Sequence, residues 1–214
     1  ATRTAQDLAR AGVQIAAYVE ARESAAIKGD FPVYTNAQIC NTTGRRGLDG
    51  VTLRHAGGEI KLAADCLAMS GGWNPTVHLS CHMGGRPVWE DSLQAFLPAK
   101  DAVPGMLYAG STNGEMSTQA CLRSGAKMAE QVIKDLGKAP KKIHLPKAED
   151  EAYAITALWS VPGKARAWLD FQNDVTTKDV VQSVQENYAS VEHMKRYTTQ
   201  GMAPDQGKNS NVSA

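Results

Sequence analysis

Two stretches of this sequence hold residue types that do chemistry at a glycine turn. The first is Tyr108-Ala109-Gly110-Ser111-Thr112-Asn113-Gly114, preceded by Met106-Leu107 and followed by a helix-forming run from Ser117 to Leu136. A short strand, a small-residue turn and a helix start make a ready anion site. Unpaired N–H groups point outward there, and the helix dipole favours negative charge. Gly110, Ser111 and Gly114 let a ligand approach the backbone, Ser111 and Thr118 add hydroxyls, and Met116 adds a soft apolar wall. A plain strand-to-helix connection has the same pattern, so both readings stay open on these residues alone. The second stretch ends at Glu20, after a helical run over 2–12 and an apolar run over 13–19. Helix, glycine, buried strand and acidic residue form the second half of a βαβ unit, whose carboxylate can accept bonds from a ribose. The preceding strand and Gly-rich turn are absent, so a solvated strand end is the alternative.

Other reactive side chains carry weaker patterns. His78 and His82 lie four apart and share a helical face, but no Glu or third ligand stands beside them. Cys40, Cys66, Cys81 and Cys121 form no CxxC pair, which excludes the spacing of a zinc ribbon. Reduced, mostly buried thiols are expected, as in a cytoplasmic protein. Lys138 to Lys142 and Lys195-Arg196 are short basic runs that read either as phosphate contacts or as solvated surface.

The elements that must position these residues follow from pattern. A helix over 2–12 stops at Gly12; short strands are expected at 32–34 and 37–43. A hairpin spans 51–62 about Gly57-Gly58, and a buried strand over 62–69 leads into Ser70-Gly71-Gly72-Trp73-Asn74-Pro75. Residues 137–163 are charged and proline-punctuated, as in a linker, and Thr176 or Thr177 caps a helix through Tyr188, with another over 191–197. With 214 residues, 43% hydrophobic and 21% charged, the chain has the composition of a folded globular protein. Lys+Arg of 23 against Asp+Glu of 22 argues against a nucleic-acid binder, and no apolar run has the length of a membrane span. The chain starts at Ala1 without Met and stops at Asn211-Val212-Ser213-Ala214, and a piece of a longer protein is expected.

Taken together, the stretches resemble one family. Ala-Met-Ser-Gly-Gly-Trp-Asn-Pro-Thr-Val-His-Leu (68–79), Tyr-Ala-Gly-Ser-Thr-Asn-Gly (108–114) and residues 169–211 resemble the alpha subunit of heterotetrameric sarcosine oxidase. The last contains Asp-Phe-Gln-Asn-Asp-Val-Thr and Val-Glu-His-Met-Lys-Arg-Tyr-Thr-Thr-Gln-Gly-Met-Ala-Pro-Asp-Gln-Gly-Lys. Such runs of Asp, Gln, Asn and Lys are not dictated by packing, which makes the resemblance specific.

The resemblance implies an α/β chain: a partial, Rossmann-like fold with two dinucleotide-binding domains, then a small helical [2Fe–2S]-ferredoxin-like module lacking its cysteines. The implied divisions are 1–75 (remnant of an inserted nucleotide-binding domain), 76–136 (return to the first dinucleotide-binding domain), 137–163 (linker) and 164–214 (module). In the module Asp170, Gln172, Asp205 and Ser210 stand where cluster-bearing relatives hold iron–sulfur thiolates, and oxygen donors suit that cluster poorly. The resemblance further implies NAD in this subunit, contacted by Gly110, Ser111, Met116 and Thr118. It places FAD and FMN mainly on the partner side, with beta, gamma and delta subunits as partners. The implied assembly demethylates sarcosine to glycine with O2 and passes the one-carbon unit to tetrahydrofolate, on a domain outside this chain. No catalytic residue and no metal ligand is expected here. A non-catalytic scaffold with a vestigial dinucleotide site, or a related amine or opine dehydrogenase subunit, is the alternative.

Overall fold

The computed structural model describes residues 2–24, 27–163 and 165–214. The chain divides into two compact units, Ala1–Ser70 with Leu158–Ala214, and Gly71–Ala157.

In the first unit α1, Thr2–Arg10, is closed by Gly12 at φ +87°. The N–H groups of Gly12 and Val13 donate to the carbonyls of Ala9 and Leu8, each at 3.0 Å, so the last turn is satisfied through a left-handed residue that glycine adopts without strain. In the apolar run after it only β1, Tyr18–Val19, is a strand, paired in parallel with β2, Val33–Tyr34. The expected strand over 13–19 is thus limited to its last residues, because apolar composition does not supply a hydrogen-bonding neighbour. An antiparallel sheet follows in the order β3 (Gln38–Thr43), β4 (Gly50–His55), β5 (Gly58–Ala63). The expected hairpin pairs His55 with Gly58, and the middle strand carries the buried Val51, Thr52 and Leu53. The expected strand over 62–69 stops at Ala63, and Met69 is 83% exposed.

In the second unit α2, His78–His82, precedes a hairpin of β6, Pro87–Glu90, and β7, Ala95–Pro98. The expected strand before Gly110 forms no ladder. A 3-10 turn, Gly110–Asn113, then leads to α3, Thr118–Asp135. Gly114 closes that turn at φ +84°, in the left-handed region that favours glycine, and a Cβ there would lie 2.9 Å from Leu93 Cδ1 and 3.2 Å from Leu97 Cδ1, so those side chains would have to shift.

The remainder of the first unit holds β8, Trp168–Asp170, antiparallel to β9, Val175–Thr176, then α4, Thr177–Gln185, and α5, Val191–Thr198. The helix expected through Tyr188 ends at Gln185. Thr176 starts α4: its backbone N–H and its hydroxyl both donate to Asp179 Oδ2 at 2.7 Å. The Thr176 hydroxyl, then its N–H, hold the Asp179 carboxyl below the ordinary value. Asp179→Ala is expected to cost about 1 kcal/mol, read as a lower urea midpoint with an unchanged slope.

Candidate functional site

The candidate turn folds onto the first turns of α3. Gly110 adopts φ +64°, its N–H donates to Ser124 Oγ at 3.2 Å, and its carbonyl accepts from Glu115 N–H at 3.1 Å. Gly114 N–H donates to the Ser111 carbonyl at 3.1 Å, and the Cys121 thiol donates to the Glu115 carbonyl at 3.0 Å. These bonds fold residues 110–115 against α3. Gly110 and Met116 are half-buried, and Ser111 and Thr118 are exposed. A Cβ on Gly110 would meet Cys121 Sγ at 3.5 Å, an ordinary contact, so φ and not crowding sets the need for glycine.

The start of α3 differs from the open anion site expected. Ser117 Oγ accepts from Ala120 N–H at 3.0 Å and donates its own proton to Asp150 Oδ1 at 2.6 Å. Gln119 N–H donates to the Glu149 carbonyl at 3.2 Å, and Arg123 pairs with Asp150 at 2.9 Å. The Ser117 hydroxyl, then Arg123, hold the Asp150 carboxyl below the ordinary value. The protein's own carboxylate therefore stands at the helix start, and at Gln119 and Ala120 the N–H groups are already used. That arrangement suits uncharged polar groups of a ligand, such as hydroxyls or an amide, better than a phosphate.

Glu20 is turned onto Arg22, with Nε–Oε1 at 3.0 Å and Nη2–Oε2 at 2.8 Å. This pairing, led by the Arg22 side chain, lowers its carboxyl pKa. His78 and His82 share α2, and among the described residues no group of three or more His, Cys, Asp or Glu is placed to hold a metal ion. The cysteines correct the expectation of burial: Cys66 and Cys81 are exposed, Cys40 and Cys121 half-buried, and all four are free thiols. Lys195 and Arg196 lie in the last turn of α5, where cations complement the helix dipole, and Arg196 reaches Glu192 at 3.6 Å.

In the module Asp170 is 4% exposed and acts as the centre of a hydrogen-bond cluster. Its Oδ1 accepts from Gln172 N–H at 2.9 Å and Asn173 N–H at 3.2 Å, and its Oδ2 accepts from Gly201 N–H at 2.8 Å. Gln200 Nε2 donates to Ser210 Oγ at 2.7 Å, and Gly207 N–H donates to Asp205 Oδ1 at 3.1 Å. Gln172, by contrast, is exposed. Asp170, Asp205 and Ser210 thus share in ordering the 200–211 loop through hydrogen bonds.

Residues 164–214 match the family model described as the sarcosine oxidase A3 domain. The chain is 41% identical over 98% of its length to the sarcosine oxidase subunit alpha of Rhizobium meliloti (strain 1021). The chain belongs to the sarcosine oxidase alpha-subunit family. It is 34% identical over 75% of its length to the subunit alpha of Corynebacterium sp. (strain U-96). The chain spans 22% and 17% of those two relatives. Among solved structures, the L-proline dehydrogenase of P. horikoshii shares the fold at TM-score 0.64 and 17% identity, over 98% of this chain and 41% of that one. The likeness is one of mixed α/β architecture. No helix among the described residues is long and apolar enough to cross a membrane.

Proposed function

We propose that this chain is the part of a sarcosine oxidase alpha subunit that holds NAD at the 110–118 turn and adjoins the flavin-bearing subunit. Membership of the family carries the reading, and the small-residue turn with Gly110 at φ +64° supports the site. Gly110 and Ser111 would admit the cofactor to the backbone, the Ser111 and Thr118 hydroxyls would bond its polar groups, and Met116 would pack beside it. In the assembled enzyme the flavins supply the redox chemistry and a folate domain accepts the one-carbon unit. The products would be glycine, H2O2 and 5,10-methylenetetrahydrofolate. The beta, gamma and delta subunits would be the partners, in the cytoplasm.

The module is proposed to be a ferredoxin-like scaffold without its cluster. Asp170, Gln172, Asp205 and Ser210 do not fit an iron–sulfur group: their donors are oxygen or amide, and the Asp170 carboxylate is already filled by N–H donors.

The test compares three samples for sarcosine turnover: the complete subunit assembled with its partners, the same complex with residues 110–118 scrambled, and the 214-residue chain alone. The expected result is turnover and acid-extractable NAD in the first, loss of NAD in the second and no turnover in the third. Full NAD content in the scrambled complex would leave a scaffold with a vestigial site as the better reading.

A further inference from the structure

A segment without regular secondary structure, residues 148–155, contacts two glycine-bearing loops of the second unit. At one end Ala148 N–H donates to Gln119 Oε1 at 2.8 Å, while Gln119 N–H donates back to the Glu149 carbonyl at 3.2 Å. Asp150 takes the Ser117 hydroxyl at 2.6 Å and Arg123 at 2.9 Å. At the other end Tyr153 Oη accepts from Trp73 N–H at 3.1 Å. A Cβ on Gly72, at φ +94°, would lie 2.6 Å from Ile155 Cδ1 and 3.0 Å from Tyr153 Oη, so Gly72 is shaped to this segment.

We infer that residues 148–155 are a clasp that holds the Gly71–Trp73 loop and the 110–118 turn as one unit. Asp150 is its internal anion, standing where a phosphate would otherwise bind. The segment lies outside helix and strand, and these side-chain and loop contacts help to order it. An Asp carboxylate beside the Ser117 cap satisfies the charge preference of the α3 start, and a ligand phosphate arriving there would meet a like charge. The clasp therefore stays closed when the turn is occupied, and the turn meets an uncharged part of the ligand, its hydroxyls or its carboxamide. The ligand half of this inference rests on the proposed NAD site; the clasp does not.

Hydrogen–deuterium exchange of the complete subunit in its complex separates the two halves. In the ligand-free complex, Asp150→Ala is expected to speed exchange about tenfold in peptides covering 148–155 and 117–121 and also at 71–74, since a charged hydrogen bond and its ion pair are lost. Tyr153→Phe, which removes only the acceptor for Trp73, is expected to speed exchange at 71–74 and at 117–121. Faster exchange confined in both variants to the immediate neighbours of the altered residue would overturn the clasp. With NAD added to the parent complex, slower exchange at 110–118 and unchanged exchange at 148–155 is expected. Faster exchange at 148–155 on adding NAD would mean that the ligand displaces Asp150, and the internal-anion role would fall. If NAD changes exchange in none of these peptides, the proposed NAD site fails, and the two variants still decide the clasp.

Discussion

An Asp170→Ala chain is expected to lose about 3 kcal/mol of stability, the largest single-residue loss in the module. The side chain is 4% exposed and accepts from three backbone N–H groups, of which Gly201 N–H at 2.8 Å comes from a loop 31 residues away. Alanine leaves these donors without an acceptor, and a buried donor without a partner costs more than the hydrogen bond itself contributed. Asp170→Asn keeps the volume but turns either an N–H or an oxygen toward each donor set, so it is expected to fall between parent and Ala. Gln172→Ala, two residues on and exposed, is expected to change stability by less than about 0.5 kcal/mol. The Asp170 carboxyl is held below its ordinary value, first by Gly201 N–H, which together with the N–H groups of Gln172 and Asn173 outweighs burial. A depressed carboxyl pKa stabilises the fold fully above the unfolded value, about 3.9, and the stabilisation is lost as pH falls through the folded value. Urea midpoints measured on the complex from neutral pH down to about pH 3 should therefore fall more steeply for the parent than for Asp170→Ala. Equal slopes, or an Ala variant as stable as the parent, would show that the 200–211 loop is ordered by something else.

The sequence was most legible where local chemistry decides structure. The stop of α1 at Gly12, the hairpin about Gly57-Gly58 and the Ser117 start of α3 each rest on contacts within a few residues, and each is present. It was least legible where a strand needs a distant partner. Residues 13–17, 64–69 and 106–109 are apolar enough for strands, yet none has a ladder, because periodicity reports burial and not pairing. The β6–β7 hairpin was missed for the opposite reason. Its turn, Asp91-Ser92-Leu93-Gln94, holds no glycine to mark it; Pro87 and Pro98 pair with each other at its open end, and the Trp89–Phe96 pair across it was the available signal. At the candidate site the glycines and hydroxyls could be named from spacing. Asp150 could not, because its partner Ser117 lies 33 residues away and its own surroundings, Glu149 and Glu151, look like a solvated linker.

Gly110→Asn in the assembled complex is expected to weaken NAD retention by more than tenfold, about 1.4 kcal/mol. The choice of asparagine follows from the backbone. Gly110 sits at φ +64°, where a β-branched residue such as valine would be strained on its own account, whereas asparagine enters the left-handed region at small cost. A Cβ there meets only Cys121, at 3.5 Å and beyond, so the fold accommodates the first carbon, and the added amide takes up room in the turn that is proposed to meet the ligand. Gly105→Asn is the matched control: its φ is +75° and a Cβ there meets nothing within 4 Å, so it carries the same backbone cost outside the turn. NAD retained after gel filtration, read by acid extraction, should fall in the Gly110 variant and hold in the Gly105 variant, with similar melting for both. Ser111→Ala and Thr118→Ala each remove one neutral hydroxyl bond and should weaken retention by about fivefold, near 1 kcal/mol. A Gly110→Asn complex that holds NAD as firmly as its parent would reduce residues 110–118 to a strand-to-helix connection. Loss in both glycine variants together would assign the effect to the backbone and not to the ligand.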